Sequence, residues 1–307
     1  MPSDQNGGAF SPNLAWSFAA LDGDDADYAR AAAAILPAGY DGTVSYRAGS
    51  RDGPRAVIEA SRYLELYEPD LDLEPSQWGI ATLPALEPAV SGPEENVERV
   101  ERAIGALADA GKLPVLIGGE HTLTIGAVRA LARRFPDLSV LQLDAHADLR
   151  NSYQGSRHSH ACVMRRVRET VSGAGAVVQA GIRSMSLEES EHIRNDAVTG
   201  VHPYTPGLYE SPASVEELLT GLGETLYVTI DLDALDPAVM PAVGTPEPGG
   251  LSWQEALNVL WAASRRSRIV GFDVMELAPA EGPAHAAFTA ARLTYKLIGY
   301  ALAHRAA

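Results

Sequence analysis

This chain of 307 residues is poor in cysteine, in positive charge and in long apolar runs. Its one cysteine, Cys162, excludes an intrachain disulfide. That fits a reducing compartment, so a cytoplasmic location is the expectation. No stretch approaches the roughly 18 consecutive apolar residues of a membrane span, so no membrane partner is expected. Met1 to Ser17 carries neither a basic stretch nor a long apolar segment, which argues against a signal peptide. Lys and Arg together number 24 against 40 for Asp and Glu, a net charge of −16, and no basic patch offsets them. Nucleic acid is therefore not an expected partner. Internal repeats and low-complexity linkers are also missing.

What is present suffices for a full core. Apolar residues make up 46% of the chain, too many for global disorder. The length allows one large α/β domain or two smaller ones. With no linker to divide it, a single domain over 1–307 is expected, with residues 1–13 as a polar, Gly/Pro-containing arm. The acidity serves solubility, or helps draw in a cationic substrate.

From residue 14 onward, apolar runs alternate with helical patterns. Strands are expected over Pro114–Ile117, Leu138–Leu143, Ala176–Gly181, Leu226–Leu232 and Arg268–Leu277. Helices are expected over Thr122–Phe135, Ala161–Val171, Val215–Leu222, Trp253–Ser264 and about Ala284–His304. Thr122 and Ser252 are the expected N-caps of two of these helices. This alternation predicts a three-layer α/β/α fold with a mostly parallel central sheet. In such sheets, sites form at the carboxyl ends of the strands. Four polar groups fall at such ends: Gly118-Gly119-Glu120-His121, Asp144-Ala145-His146-Ala147-Asp148, the pair Asp231 and Asp233, and Glu276.

Strand geometry would let Asp144, His146 and Asp148 share a face, and likewise Asp231 and Asp233. Carboxylates so crowded repel one another unless cations hold them. The set His121, Asp144, His146, Asp148, Asp231 and Asp233 has two imidazoles, four carboxylates and no thiolate. It suits Mn²⁺, with Fe²⁺, Co²⁺ or Zn²⁺ as alternatives. Six ligands, some shared, suit two ions, and water held between two ions is a nucleophile at neutral pH. The chemistry indicated is metal-assisted hydrolysis. The competing reading is structural: Asp231 caps a turn, and His121 partners a helix terminus.

These three segments resemble the signature segments of the ureohydrolase family, which contains the arginases and agmatinases. The run Tyr46-Arg47-Ala48-Gly49-Ser50-Arg51-Asp52-Gly53-Pro54 resembles the family's N-terminal segment. Gly181-Ile182-Arg183-Ser184, Gly244-Thr245-Pro246-Glu247-Pro248-Gly249-Gly250-Leu251 and Glu276-Leu277-Ala278-Pro279 resemble segments of its agmatinase branch. The resemblance runs from about residue 40 to the C-terminus.

The resemblance implies an arginase-like fold and two manganese ions. One would be held by His121, Asp144, Asp148 and Asp231, and the other by Asp144, His146, Asp231 and Asp233. Asp148 would also orient the nucleophile. Glu276 would pair with a small cationic guanidino substrate. His160 would shuttle the proton, chosen over His158 because Ser159-His160 before a small residue fits the family pattern. The expected reaction is agmatine to putrescine and urea. Guanidinobutyrate, guanidinopropionate and arginine are the rival substrates, and a catalytically silent binding homologue is the rival from another class. A two-metal phosphoesterase lacks its cluster of Arg or Lys here. A homo-oligomer, trimer or hexamer, is implied by the resemblance alone. Three departures stand out: Ala161 for the family's frequent Gly, Ala147 for its frequent Thr, and Pro279-Ala280-Glu281-Gly282 after Glu276. The substrate's tail is expected near Asn151 and Glu281. Arg150 either repels a cationic tail or is paired away from it.

Overall fold

A computed structural model of the chain describes residues 16–171, 176–195 and 198–306. The expected arm at 1–13 lies outside them. Among the described residues eight strands are formed: β1 (Ala33–Ala38), β2 (Ile80–Thr82), β3 (Leu113–Gly118), β4 (Ser139–Leu143), β5 (Val177–Ile182), β6 (Val201–Pro203), β7 (Thr225–Asp231) and β8 (Arg268–Met275). All neighbouring pairs are parallel, in the order β2-β1-β3-β8-β7-β4-β5-β6.

Burial explains why these runs are strands. Every residue of β3, β4, β5 and β7 is buried. Their near-continuous apolar sequences are what a sheet covered on both faces requires. Alternate side chains enter two separate cores. Ile35, Ile117, Val228, Ile230 and Phe272 pack with Val57, Leu260 and Leu297. Those three lie on the helices Gly53–Ser61, Trp253–Arg266 and His285–Ala306. Leu36, Leu116, Val140, Tyr227 and Val270 pack instead with Val100, Leu131 and Val167. These belong to the helices Pro93–Asp109, Thr124–Arg134 and Val163–Thr170. Helices on both faces of a parallel sheet make the three-layer α/β/α fold that the sequence predicts.

Chain order and spatial order part company at the middle. β8 is last in sequence yet sits between β3 and β7, with Phe272 opposite both Val115 and Val228. Four adjacent strands, β3, β8, β7 and β4, therefore end side by side. Those are the ends that carry the four polar groups.

The expected elements are present with shifted ends. Ser252 caps its helix in a reciprocal box with Glu255: its hydroxyl accepts from Glu255 N–H at 3.2 Å, and Glu255 accepts from Ser252 N–H at 2.8 Å. Thr122 is not a cap. It lies inside a short 3-10 turn, His121–Leu123, and its hydroxyl donates to the His158 carbonyl. β1 escapes the sequence reading because it is Ala-rich and carries Pro37, which weakens a strand signal. β2 and β6 are three residues each, too short to show a period.

Candidate active site

The polar segments converge, but not by strand alternation. β4 ends at Leu143, and the chain turns at once, with His146 N–H donating to Asp144 Oδ1 at 2.6 Å. Asp148 then takes a left-handed backbone, φ 53°. Such a conformation costs a non-glycine residue about 1 kcal/mol or more and persists only where surroundings enforce it. Glu276 is held the same way, φ 67°, just beyond β8. Its N–H donates to Gly119 O at 2.9 Å, while its Oε1 accepts from His121 N–H at 2.6 Å. Gly119 itself has no room for a side chain, since a Cβ would strike the Tyr40 carbonyl. The loops after β3 and β8 are thus laced together.

Asp231 closes β7 and does cap the following turn, its Oδ1 accepting from Asp233 N–H at 3.0 Å. The turn-capping alternative is therefore realised, without removing Asp231 from the cluster. Asp233 accepts from Ala145 N–H at 3.0 Å and faces His146 Nδ1 at 2.9 Å. His146 Nδ1 is also 3.6 Å from Asp144.

His121 decides whether the cluster suits a cation. It is fully buried. Its Nε2 lies 2.8 Å from the Thr229 hydroxyl. Its Nδ1 lies 3.2 Å from Asp144 Oδ2 and 3.4 Å from both Asp148 Oδ2 and Asp231 Oδ2. None of the three is aligned for a hydrogen bond, so a buried ring nitrogen is left without a partner. Three buried carboxylates crowding one ring nitrogen repel one another unless positive charge lies among them, as a proton on the ring or as a cation. Two groups can gather ligand atoms on one point, His121 with Asp144 and Asp231, and Asp144 with His146 and Asp233. Asp144 belongs to both. The donor set fits a pair of divalent cations.

The proton affinities carry the same strain. Burial works to lower His121, but Asp144, Asp148 and Asp231 raise it well above its ordinary value. Burial pushes Asp148 up to about 7 and Glu276 up to about 8, with neighbouring carboxylates adding to both. Asp231 is also raised, by burial and by Asp233 and Asp144. Asp144 alone goes down: burial would raise it, but His121 and His146 outweigh that. A cluster with this pattern is short of positive charge and collects protons in its place.

A cavity of about 190 Å³ opens onto the cluster, the scale of a small solute. His146, Asp148, Asp231 and Glu276 line it, and His160 forms part of its wall. His158 does not line it. That ring lies 3.1 Å from Glu94 and 3.4 Å from Arg129. Burial pushes His160 down to about 4, so it rests neutral, well below the near-neutral value of an exposed imidazole.

Arg150 lines the cavity but is already engaged, 3.8 Å from Glu189 and stacked 4.9 Å over the Tyr153 ring. Asn151 is not in the wall; its side chain accepts from Arg166 at 3.1 Å. Glu281 pairs with Arg47 at 3.2 Å, and it is Arg47 that lines the cavity. Beyond the cluster, the cavity wall includes Tyr46, Arg47, Tyr153, Met185 and Thr245, while Asn151 and Glu281 themselves stand behind residues that line it.

Sequence reading also missed a supporting set. Gln142 Nε2 donates to Asp144 Oδ2 at 2.5 Å and is in turn held by Gln179 at 2.6 Å. Buried Asp273 accepts from Thr124 at 2.7 Å and Tyr227 at 2.6 Å, next to the Thr229 that holds His121. Glu189 accepts from Leu149 N–H and Ser186 N–H at 2.8 Å and 2.7 Å, bracing the Asp148 loop. The signal for Gln142, Gln179 and Asp273 was a polar residue inside an otherwise apolar strand, which needs a partner, while Glu189 lies on a polar helix and leaves none.

Comparison with known proteins fixes the lineage. The sequence profile of the arginase family matches residues 31–299. The chain belongs to the arginase family. It is a ureohydrolase of that family. An N(1)-aminopropylagmatine ureohydrolase of Synechocystis sp. is 40% identical over 89% of this chain and 90% of that protein. An agmatinase of Pyrococcus horikoshii is 37% identical over 91% of this chain and 93% of that protein. The crystal structure of agmatine ureohydrolase of Thermoplasma volcanium superposes with a TM-score of 0.83 at 31% identity, covering 97% of each chain. Among the described residues no helix is long and apolar enough to cross a membrane.

Proposed function

We propose that this arginase-family ureohydrolase cleaves agmatine to putrescine and urea at a pair of manganese ions. His121, Asp144, Asp148 and Asp231 would hold one ion, and Asp144, His146, Asp231 and Asp233 the other. Bound there, the ions would supply an acidified water as the nucleophile. Asp148, on the cavity wall, would accept a hydrogen bond from that water and aim it. Glu276 would hold the guanidinium by charge-assisted hydrogen bonds, and the cation would restore its ionised form. Water adds to the guanidinium carbon, the C–N bond to the tail breaks, and both protons of that water must end on the leaving nitrogen. Neutral His160 would collect a proton from the water side and deliver it to that nitrogen as the bond breaks, and the second follows to give the ammonium. The products are urea and the protonated amine.

The observation that carries this reading is one cavity lined by Glu276, His160 and, from the His/Asp cluster, His146, Asp148 and Asp231. An amine tail suits the rest of the wall, because its two arginines, Arg47 and Arg150, already face carboxylates. The name of the Synechocystis relative makes N(1)-aminopropylagmatine the second substrate to test. Urea release with Mn²⁺ should be measured on agmatine, N(1)-aminopropylagmatine, guanidinobutyrate, guanidinopropionate and arginine. Amine-tailed compounds are expected to turn over fastest. Faster turnover of a carboxylate-tailed compound would overturn the substrate, and no turnover of any would overturn the function. A silent homologue has nothing to recommend it, since all six ligand positions, His160 and Glu276 are filled by competent residues.

A further inference from the structure

Thr43 lies on the loop after β1, far in sequence from every residue of the cluster. Its hydroxyl sits at a junction. It donates to Glu120 Oε1 at 2.7 Å and accepts from the His160 backbone N–H at 3.0 Å. The same oxygen is 3.4 Å from His160 Nδ1. Glu120 grips Thr43 twice, because its Oε2 accepts the Thr43 N–H at 2.6 Å. Glu120 is wholly buried, so this clamp has no water to compete with it. The other polar contacts of the ring are hydroxyls: Ser159 at 3.4 Å from Nδ1, and Ser45 at 3.3 Å from Nε2. Tyr153 meets the ring edge-on, centroids 6.2 Å apart.

We propose that Thr43, clamped by Glu120, is a positioning residue for His160, holding its backbone and the Nδ1 side of its ring so that Nε2 is left to the cavity. This rests on the proposed shuttle role of His160. A hydroxyl can donate once and accept twice, and the three partners of Thr43 match that capacity. Proton transfer in turn needs the ring nitrogen within hydrogen-bond reach of the leaving atom. A ring held only by two serine hydroxyls at 3.3 Å and 3.4 Å would sample other orientations. Glu120 thus does two things from one position: it follows Gly119 in the loop that delivers His121, and it anchors the loop that steadies the shuttle.

The test uses Thr43→Val, which keeps the shape and removes the hydroxyl, alongside Thr43→Ser and His160→Asn. Thr43→Val should lower kcat about tenfold to a hundredfold, a share of the total that acid–base groups contribute. KM and the manganese bound per chain should stay unchanged. Thr43→Ser should restore turnover. In the metal-free protein, the His160 imidazole signals, assigned by their loss in His160→Asn, should shift in Thr43→Val and return in Thr43→Ser. If Thr43→Val does not fold, Thr43→Ala is compared with Thr43→Ser on the same measures. Unchanged kcat in Thr43→Val, with activity lost in His160→Asn, overturns the positioning role and leaves the shuttle standing. Lower manganese content in proportion to lost activity also overturns it, since Thr43 would then support the metal loops. Full activity in His160→Asn overturns the shuttle reading itself.

Discussion

Stripping the metal should make stability fall as pH rises, and the buried carboxyls set the size of the effect. Asp148 is moved from an ordinary 3.8 to about 7, and Glu276 from 4.5 to about 8. Both are 6% exposed, so solvent screens little of this. A carboxyl raised in the folded state binds protons that the unfolded chain has released. Stability is then greatest below the unfolded value and declines as pH climbs toward the folded one. The raised His121 and His146 act in the same sense, since their extra stability is present below the unfolded imidazole value and lost at higher pH. Asp144 opposes below its ordinary 3.8, and His160, lowered to about 4, opposes between about pH 4 and 6.5. His160 is not among the ligand positions, so its part is common to the chelated and the Mn²⁺-loaded protein, and the window for the difference between them is about pH 4.5 to 8. A carboxyl raised that far costs on the order of 4 kcal/mol when ionised. The carboxyls share a cluster, so their penalties do not simply add. Divalent cations remove the penalty and displace the protons. Thermal unfolding with chelator and with Mn²⁺ should therefore diverge with pH, the gap widening by on the order of 5–10 °C between pH 5 and 8. Manganese binding at pH 7 should also release protons in a weakly buffered titration. A gap that stays flat, or narrows as pH rises, would refute the reasoning.

Three further outcomes are expected. Asp144→Asn should lose both ions, because Asp144 belongs to both ligand groups; metal analysis that found one ion per chain would show that it does not bridge. Asp41 sits below its ordinary value, burial being outweighed by hydrogen bonds from Arg51 and Gly49. Its contribution should be present above pH about 4 and vanish as pH falls through the lowered value. The Tm difference between wild type and Asp41→Asn should shrink below pH 4, and a constant gap would count against the pairing. Phe272 is fully buried at the centre of the sheet, so Phe272→Ala should cost about 3–5 kcal/mol in chemical denaturation; a loss under about 1 kcal/mol would mean that the two strands flanking β8 close over the gap.

The legible part of the site was the part with chemistry written into adjacent positions. His121, the Asp144 segment, Asp231, Asp233 and Glu276 each follow an apolar run, and all come together where four strands end. What stayed hidden depends on partners distant in sequence. Thr43 meets Glu120 across 77 positions, and Thr124 meets Asp273 across 149. Neither pair leaves a periodic trace. Nor could sequence reveal that Asp148 and Glu276 hold left-handed backbone, because nothing local demands it. The expected sharing of a face by Asp144, His146 and Asp148 was right in outcome and wrong in cause. A side-chain turn and one strained residue gather them after β4 has ended.

The tail end of the cavity turns on how its two arginines are held. Arg150 faces Glu189, and that carboxylate is buried and already receives Leu149 N–H, Ser186 N–H and the Ser186 hydroxyl. Drawing Arg150 away toward a substrate carboxylate would leave a buried acid with one partner fewer, which is unfavourable. Arg47 is different. Its pair with Glu281 is 3.2 Å long, with side chains 55% and 24% exposed, and such pairs contribute little. A carboxylate-tailed compound could recruit Arg47 at small expense but not Arg150. A cationic tail needs neither, and is served by Glu281 only through its hold on Arg47. Glu281 lies in the stretch after Glu276 where this chain departs from the agmatinase pattern. Discrimination between tails should therefore respond to Glu281→Gln in KM, leaving kcat for the guanidino head nearly unchanged, because Glu281 touches the cavity only through Arg47 whereas Glu276 lines it. If Glu281→Gln altered neither the KM for agmatine nor the ratio between amine-tailed and carboxylate-tailed compounds, the Arg47–Glu281 pair would have no part in choosing the substrate.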